Sequence, residues 1–146
     1  MKRILINADG PNPQAARIAY AAAIVEAAKL ETRLVTLLVP VLKSWESSVS
    51  AQVLGKAAAK ELVKNGSIMV QNVRLEIHSL NTLQKGSQAE VLFAAYVRPE
   101  VIDEAVRIHP SYKSCVYLPW MPEEVASWKA LPPDEIKEVP IEPASE

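Results

Sequence analysis

Residues 4–13 read ILINADGPNP, and the fold prediction starts from this stretch. Its three leading residues form an apolar run without polar alternation, which is typical of a strand covered on both faces. Asp9, Gly10 and the prolines on either side of Asn12 favour turns, so the strand ends there. Asn12 can accept hydrogen bonds from free backbone N–H groups, and Pro13 suits the first position of a helix. The stretch therefore predicts a buried strand followed at once by a helix.

The rest of the chain continues this alternation of strands and helices. Further strands are predicted at residues 33–39, 73–78, 91–96 and 114–118, and further helices at residues 49–64 and 99–109. A last short helix is predicted from Pro122. Residues 79–88 are few for a parallel crossover, so they predict either a helical turn at 80–84 or an antiparallel pair closed by Lys85 and Gly86.

This alternation predicts an α/β fold, with a three-layer, open, mostly parallel five-stranded sheet and helices on both faces, Rossmann-like or flavodoxin-like. The chain has 146 residues, of which 49% are hydrophobic and 23% are charged, so it can bury one core. Prolines and acids dominate the end of the sequence. We therefore expect a single α/β domain at residues 1–131 and a proline-rich acidic tail at residues 132–146.

Charge, hydropathy and cysteine content exclude several classes of function. The formal net charge is −1, which disfavours nucleic-acid binding. The apolar run at residues 4–6 is too short for a signal peptide, and residues 34–42 are fewer than the roughly twenty that a membrane span needs. Cys115 is the one cysteine, so an internal disulfide or a cysteine-rich zinc cluster is excluded. We predict a cytoplasmic protein without membrane contact, metal or cofactor.

The candidate ligand site follows from the predicted fold. Ligands of open α/β sheets bind beyond the carboxyl ends of the strands, where the strand order reverses. Asp9, Gly10 and Asn12 follow the first predicted strand, and Arg98 follows the fourth. If the first, second, fourth and fifth strands lie side by side in one direction, these four residues meet at one edge. Arg98 precedes a helix that begins with Pro99, and its guanidinium group suits an anion.

Each candidate residue also has a structural interpretation. An aspartate before glycine is ordinary turn chemistry, and Arg98 is also explained as a solvated loop residue. His78 ends a strand and is a candidate general base, but no nucleophile motif accompanies it. His109 suits a helix end, and Cys115 in mid-strand suits core packing. We therefore predict no catalytic residue.

Two tryptophans follow the fifth predicted strand. Trp120, between Pro119 and Met121, is a candidate wall of a ligand site or an anchor for a protein contact, since tryptophan is enriched at interfaces. The alternative is that Trp120 and Trp128 attach the last helix to the sheet.

Residues 4–10, ILINADG, followed by an alanine-rich helix, LVTLLVP at 34–40 and AEVLFA at 89–94, resemble the universal stress protein family. The similarity covers most of the chain from residue 4 to 118. In nucleotide-binding members, the aspartate that ends the first strand lies near the base, and Asp9 matches it. The family's glycine-rich signature after the fourth strand holds ribose and phosphates, but this chain has no glycine after Gly86. ATP binding by the family's route is therefore disfavoured.

Three functions remain open from the sequence. The first is a non-catalytic binding or regulatory domain, a homodimer, that takes a small polar or nucleotide-like ligand at Asp9, Asn12 and Arg98. The second is a small enzyme acting on a nucleotide or sugar, with Asp9 and either His78 or Glu100 as acid or base. The third is an adaptor in a larger protein assembly, with the acidic tail as its contact segment. The missing catalytic motif favours the first.

Overall fold

The computed structural model of the protein describes residues 1–7, 12–120, 123–124, 128 and 136–140. Predicted site residues Asp9 and Gly10 lie outside this set. The strands in chain order are β1 (Lys2–Asn7), β2 (Leu34–Leu38), β3 (Ser67–Val70), β4 (Val73–His78), β5 (Val91–Ala95), β6 (Ser114–Leu118) and β7 (Ile136–Pro140). The helices are α1 (Pro13–Ala28), α2 (Val49–Leu54), α3 (Lys56–Asn65), α4 (Leu80–Leu83) and α5 (Pro99–Ile108).

The strands form one open sheet in the order β3-β4-β2-β5-β6-β1-β7. All neighbouring pairs are parallel except the hairpin of β3 and β4. Helices α1, α2 and α3 share one hydrophobic core with one face of the sheet, whereas α4 and α5 share a second core with the other face. The predicted three-layer, mostly parallel α/β fold is confirmed. None of the described helices combines the length and hydropathy that crossing a membrane requires.

The predicted start of the first helix is confirmed, whereas the second predicted helix is divided. The Asn12 side chain accepts hydrogen bonds from the backbone of Gln14 and Ala15, and Pro13 opens α1. The predicted helix at 49–64 is wrong as a single element, because it divides at Gly55 into α2 and α3. Gly55 has φ +104°, a conformation that ends a helical run and that L side chains rarely adopt.

Two strands were not predicted. β3 pairs with β4 through a turn in which Gln71 and Asn72 both have positive φ, and β3 takes the edge position of the sheet. The short helix α4 forms within 79–88, so the helical turn, rather than the antiparallel pair, is the correct alternative. β7 lies within the predicted tail, and its backbone pairs with β1.

The position of β1 departs from the two common doubly wound orders, in which the first two parallel strands are neighbours. Here β5 and β6 lie between β1 and β2. Helix α1 makes this crossing, and it contacts both intervening strands. Its buried face is mostly alanine, so it can lie close to the sheet over the whole distance.

Candidate functional site

The sheet carries a crevice of about 250 Å³ beyond the carboxyl ends of β2, β4 and β5. The chain leaves β2 toward the face of α2, whereas it leaves β4 and β5 toward the face of α4 and α5. Such a divergence is where open α/β sheets bind ligands. The described residues lining the crevice are Val39, Pro40, Ser79, Leu80, Asn81, Tyr96, Val97, Arg98 and Val101.

Tyr96, directly after β5, has a strained backbone. Its φ of +60° is uncommon for an aromatic residue, and its N–H donates to the carbonyl of Leu118 at 2.8 Å. Its hydroxyl oxygen is closed to solvent and makes no hydrogen bond of good geometry among the described residues. Burial raises the pKa of Tyr96, and the nearby backbone of Asn12 opposes this effect. The Tyr96 ring packs edge-on against Trp120, with ring centroids 5.1 Å apart.

Arg98 stands at the mouth of the crevice. Its side chain is 79% exposed, and its Nε lies 3.4 Å from a carboxylate oxygen of Glu100, which is also exposed. Such exposed pairs contribute little stability, so the guanidinium group is available to another anion. Arg98 is also the N-cap residue of α5, and its side chain makes no capping hydrogen bond there. The positive end of the α5 dipole therefore adds to the charge of Arg98.

The predicted ligand residues are only partly brought together. Asn12 and Arg98 both lie at the carboxyl edge of the sheet, and the Asn12 backbone acts on the pKa of Tyr96, which lines the crevice together with Arg98. The Asn12 side chain caps α1, however, and it is not among the described residues lining the crevice. Asp9 and Gly10 lie outside the described residues, so their roles stay predictions.

A partly buried chain of hydroxyl groups runs from Tyr112, which precedes β6, through Thr36 and Ser87 to Glu76. Tyr112 donates to Thr36 Oγ1 at 3.1 Å, Thr36 and Ser87 are joined at 3.3 Å, and Ser87 donates to Glu76 Oε1 at 3.3 Å. Since a carboxylate accepts and each hydroxyl carries one proton, every donor in this chain points toward Glu76. Burial raises the pKa of Tyr112 to about 12. We call these four residues the hydroxyl chain.

The sequence analysis missed the hydroxyl chain. A signal was present in Thr36, a polar residue within the apolar run of β2. Thr36 lies opposite Glu76 in the register of β2 and β4, and it is fully buried. A buried hydroxyl requires a partner, but only the strand order shows that Glu76, Ser87 and Tyr112 supply one.

A second cavity, of about 390 Å³, lies at the edge formed by β3 and β4. Glu76, His78 and Thr82 are among the described residues that line it. His78 Nδ1 is 3.1 Å from Thr82 Oγ1, and His78 Nε2 is 3.6 Å from Glu76 Oε1. Both ring nitrogens therefore face the protein, so this histidine is not oriented as a general base toward a ligand.

The structure gives the predicted acid–base pair of Asp9 and His78 no support. His78 ends β4 and Asn7 ends β1, and four strand spacings separate these two strands. At about 4.8 Å a spacing, this is about 19 Å, far more than the about 7 Å that two residues of chain can span. The predicted core role of Cys115 is confirmed, since it is fully buried and burial raises the pKa of its thiol to about 12.

The two tryptophans after β6 have different roles. Trp128 is 1% exposed and packs on Tyr117, with ring centroids 5.0 Å apart. Arg3 donates to the Trp128 carbonyl at 2.9 Å, and its guanidinium lies over the indole ring. Trp128 therefore attaches its segment to the sheet, as one interpretation predicted. Trp120 is 45% exposed, and it also packs on Tyr96 and donates its backbone N–H to Glu124 Oε1 at 3.0 Å, so both interpretations stay open for it.

Comparison with known proteins finds no protein-family model that matches the chain and no curated protein that matches its sequence. The resemblance to universal stress proteins therefore stays a prediction.

Proposed function

We propose that the protein is a non-catalytic binding domain, which takes a small polar ligand with an anionic group in the crevice beyond β2, β4 and β5. The observation that carries this proposal is the exposed, weakly paired guanidinium of Arg98 at the uncapped start of α5, on the mouth of that crevice. Charge-assisted hydrogen bonds from arginine to phosphate or carboxylate are strong.

The composition of the crevice favours binding over catalysis. Its described lining contains no histidine, cysteine, lysine or carboxylate, so no usual base is present there to activate the Ser79 hydroxyl. Ser79 and Asn81 supply neutral hydrogen-bonding groups, and the remaining wall is mostly apolar. A volume of about 250 Å³ suits a compact ligand. The expected ligand is a phosphate or carboxylate on a small polar body, which includes the nucleotide-like class that the family resemblance implies.

The test is binding of inorganic phosphate, ribose 5-phosphate and AMP, measured by calorimetry and by thermal shift. We expect at least one of the three to bind, and Arg98→Gln to weaken it about tenfold, which corresponds to one charge-assisted hydrogen bond. The matched control is Arg107→Gln, in the last turn of the same helix, where the arginine pairs with Glu104. Absence of binding by all three probes, or equal losses in both variants, would refute the proposal.

The homodimer also stays a prediction from the sequence. Light scattering tests it, because a dimer has twice the chain mass of 16.0 kDa. A monomeric mass would remove this part of the prediction without affecting the ligand site.

A further inference from the structure

His78 connects the end of β4 to the first turn of α4. Its Nδ1 lies 3.1 Å from Thr82 Oγ1, and its Nε2 lies at ion-pair distance, 3.6 Å, from Glu76 Oε1. The Nε2 atom is closed to solvent and makes no hydrogen bond in this geometry. The carboxylate of Glu76 is therefore the one charged group within reach of Nε2 among the described residues lining this cavity.

The Thr82 hydroxyl also binds the backbone of Ser79, the residue before α4. Ser79 N–H donates to Thr82 Oγ1 at 3.0 Å, and Thr82 Oγ1 donates to the Ser79 carbonyl at 3.2 Å. The hydroxyl has one proton, so it cannot donate to Ser79 and to His78 at the same time. When Thr82 donates to Ser79, the proton between Thr82 and His78 must come from Nδ1.

The three protonation states of the ring differ in the contacts that they satisfy. A neutral ring with its proton on Nδ1 turns the lone pair of Nε2 toward the Glu76 carboxylate, which is unfavourable. A neutral ring with its proton on Nε2 suits Glu76, but Thr82 must then donate to Nδ1 and release the Ser79 carbonyl. The doubly protonated ring places a positive charge at ion-pair distance from Glu76, donates to Thr82 and leaves both Ser79 bonds in place.

We propose that His78 is a pH-dependent latch, whose charged ring holds the first turn of α4 on the end of β4. Histidine is the side chain that ordinarily changes charge between about pH 5 and pH 8. In the cavity around His78, α3 and β3 contribute Val63, Asn65 and Ser67, the segment after β2 contributes Leu42, and α4 contributes Thr82. None of these titrates. Glu76, at the end of the hydroxyl chain, is thus the one titratable neighbour among the described lining residues.

The latch adjoins the candidate ligand site. Ser79, Leu80 and Asn81, in the turn that Thr82 holds, line the crevice, and Val39 of the crevice donates its N–H to the His78 carbonyl at 2.9 Å. A tighter first turn at low pH therefore fixes one wall of the crevice. This consequence for ligand affinity rests on the proposed function, whereas the latch itself does not.

The first experiment measures amide hydrogen exchange in the ligand-free protein at about pH 5.5 and about pH 8, expressed as protection factors to remove the intrinsic pH dependence. The amides to follow are Ser79 and Leu83, the latter donating to the Ser79 carbonyl. We expect roughly fivefold more protection at the lower pH, the effect of one net hydrogen bond on an opening equilibrium. Equal protection at both pH values would overturn the latch.

Variants separate the latch from a general effect of pH. His78→Gln should abolish the pH-dependent change in protection, and Glu76→Gln should reduce it. The matched control is His109→Gln, because His109 is the second of the chain's two histidines and lies at the end of α5. The change should persist in this variant. Persistence in His78→Gln, or loss in His109→Gln, would show that another group titrates.

The protonation state of the ring can be measured without any substitution. The two ring nitrogen-15 shifts of wild-type His78 should show a neutral ring that carries its proton on Nε2 at high pH. A neutral ring protonated on Nδ1 would contradict the geometry of the latch. Because no ligand is present in these measurements, failure of phosphate to bind would leave their result unchanged.

Discussion

The crevice beyond β2, β4 and β5 and the hydroxyl chain differ in how their polar groups are satisfied. In the hydroxyl chain, the Thr36 side chain is fully buried and bonded on two sides by other side chains. At the crevice, Arg98 is 79% exposed, and it forms an ion pair with the exposed side chain of Glu100. The first region satisfies its polar groups internally, whereas the second leaves them to solvent or ligand.

This difference indicates that the residues that stabilise the fold and the residue proposed to bind a ligand are distinct. A buried polar group without a partner costs about 1–3 kcal/mol, so the hydroxyl chain contributes by preventing that loss. An exposed ion pair contributes about 0–1 kcal/mol, so Arg98 can exchange Glu100 for a ligand with little loss of stability. Substitutions in the two regions should therefore affect different measurements.

The largest expected effect comes from breaking the hydroxyl chain with Thr36→Val, which keeps the side-chain shape. The change leaves the hydroxyls of Tyr112 and Ser87 without their shared partner, and we expect a loss of about 1–3 kcal/mol in the free energy of unfolding. Urea denaturation measures it. The matched control is Thr32→Val, because Thr32 is exposed and bonds to Glu90 at the surface. That control should change stability by less than about 0.5 kcal/mol. Equal losses of unfolding free energy in the two variants would show that the hydroxyl chain stabilises the fold no more than a surface hydrogen bond does.

A second prediction uses the ionisation of tyrosine. Burial raises the pKa of Tyr112 from 10.0 to about 12, and it also raises the pKa of Tyr20, Tyr96 and Tyr117. A raised folded-state pKa means that the stability from Tyr112 is fully present below pH 10 and is lost as the pH rises from 10 to about 12.

Absorbance of the phenolate checks this prediction. At pH 10, the native protein should show far less phenolate than the urea-unfolded chain, in which tyrosine is half ionised at its ordinary pKa of about 10. Tyr112→Phe should shift the alkaline loss of stability to higher pH. Native phenolate absorbance equal to that of the unfolded chain at pH 10 would contradict the burial of these hydroxyls.

The smallest expected effect comes from a substitution of Trp120, which packs against Tyr96 of the crevice. Trp120→Ala removes an edge-on aromatic contact with Tyr96 and a half-exposed indole, so we expect a loss of less than about 1 kcal/mol in unfolding free energy. Acrylamide should quench one component of the wild-type tryptophan emission, and this component should be missing from the variant. The emission of Trp45 and Trp128, which are both buried, should remain. A larger loss of stability would place Trp120 in the core instead.

Much of the fold was predictable because its signals are local. The cap at Asn12 and the proline that opens α1 both depend on residues within one turn of chain. The break at Gly55 was missed because the apolar spacing continues through it, and the spacing does not report φ. β3 was missed because its turn uses Gln71 and Asn72, in place of the glycine that usually marks a two-residue hairpin.

The position of the candidate site was predictable from the sequence, whereas most of the residues that line it were not. The carboxyl edge of the sheet and Arg98 follow from the strand and helix pattern alone. The four strands that the sequence analysis placed side by side in one direction are contiguous and parallel, in the order β2-β5-β6-β1, so β6 lies between β1 and β5. Asn12 still approaches Tyr96, because α1 turns back across β6 and β5. The path of α1 across the sheet depends on contacts between distant segments, so no local sequence pattern predicts it.

By itself, the sequence determined most of the strands and helices and that they form a layered α/β domain. These properties depend on the spacing of apolar residues and on the chemistry of turns, which act over a few residues. The tertiary structure alone decided the strand order, the partners of Thr36 and His78, and the separation of His78 from the end of β1. Each of these depends on which distant segments pack together, and the free energy of that packing is a property of the whole core.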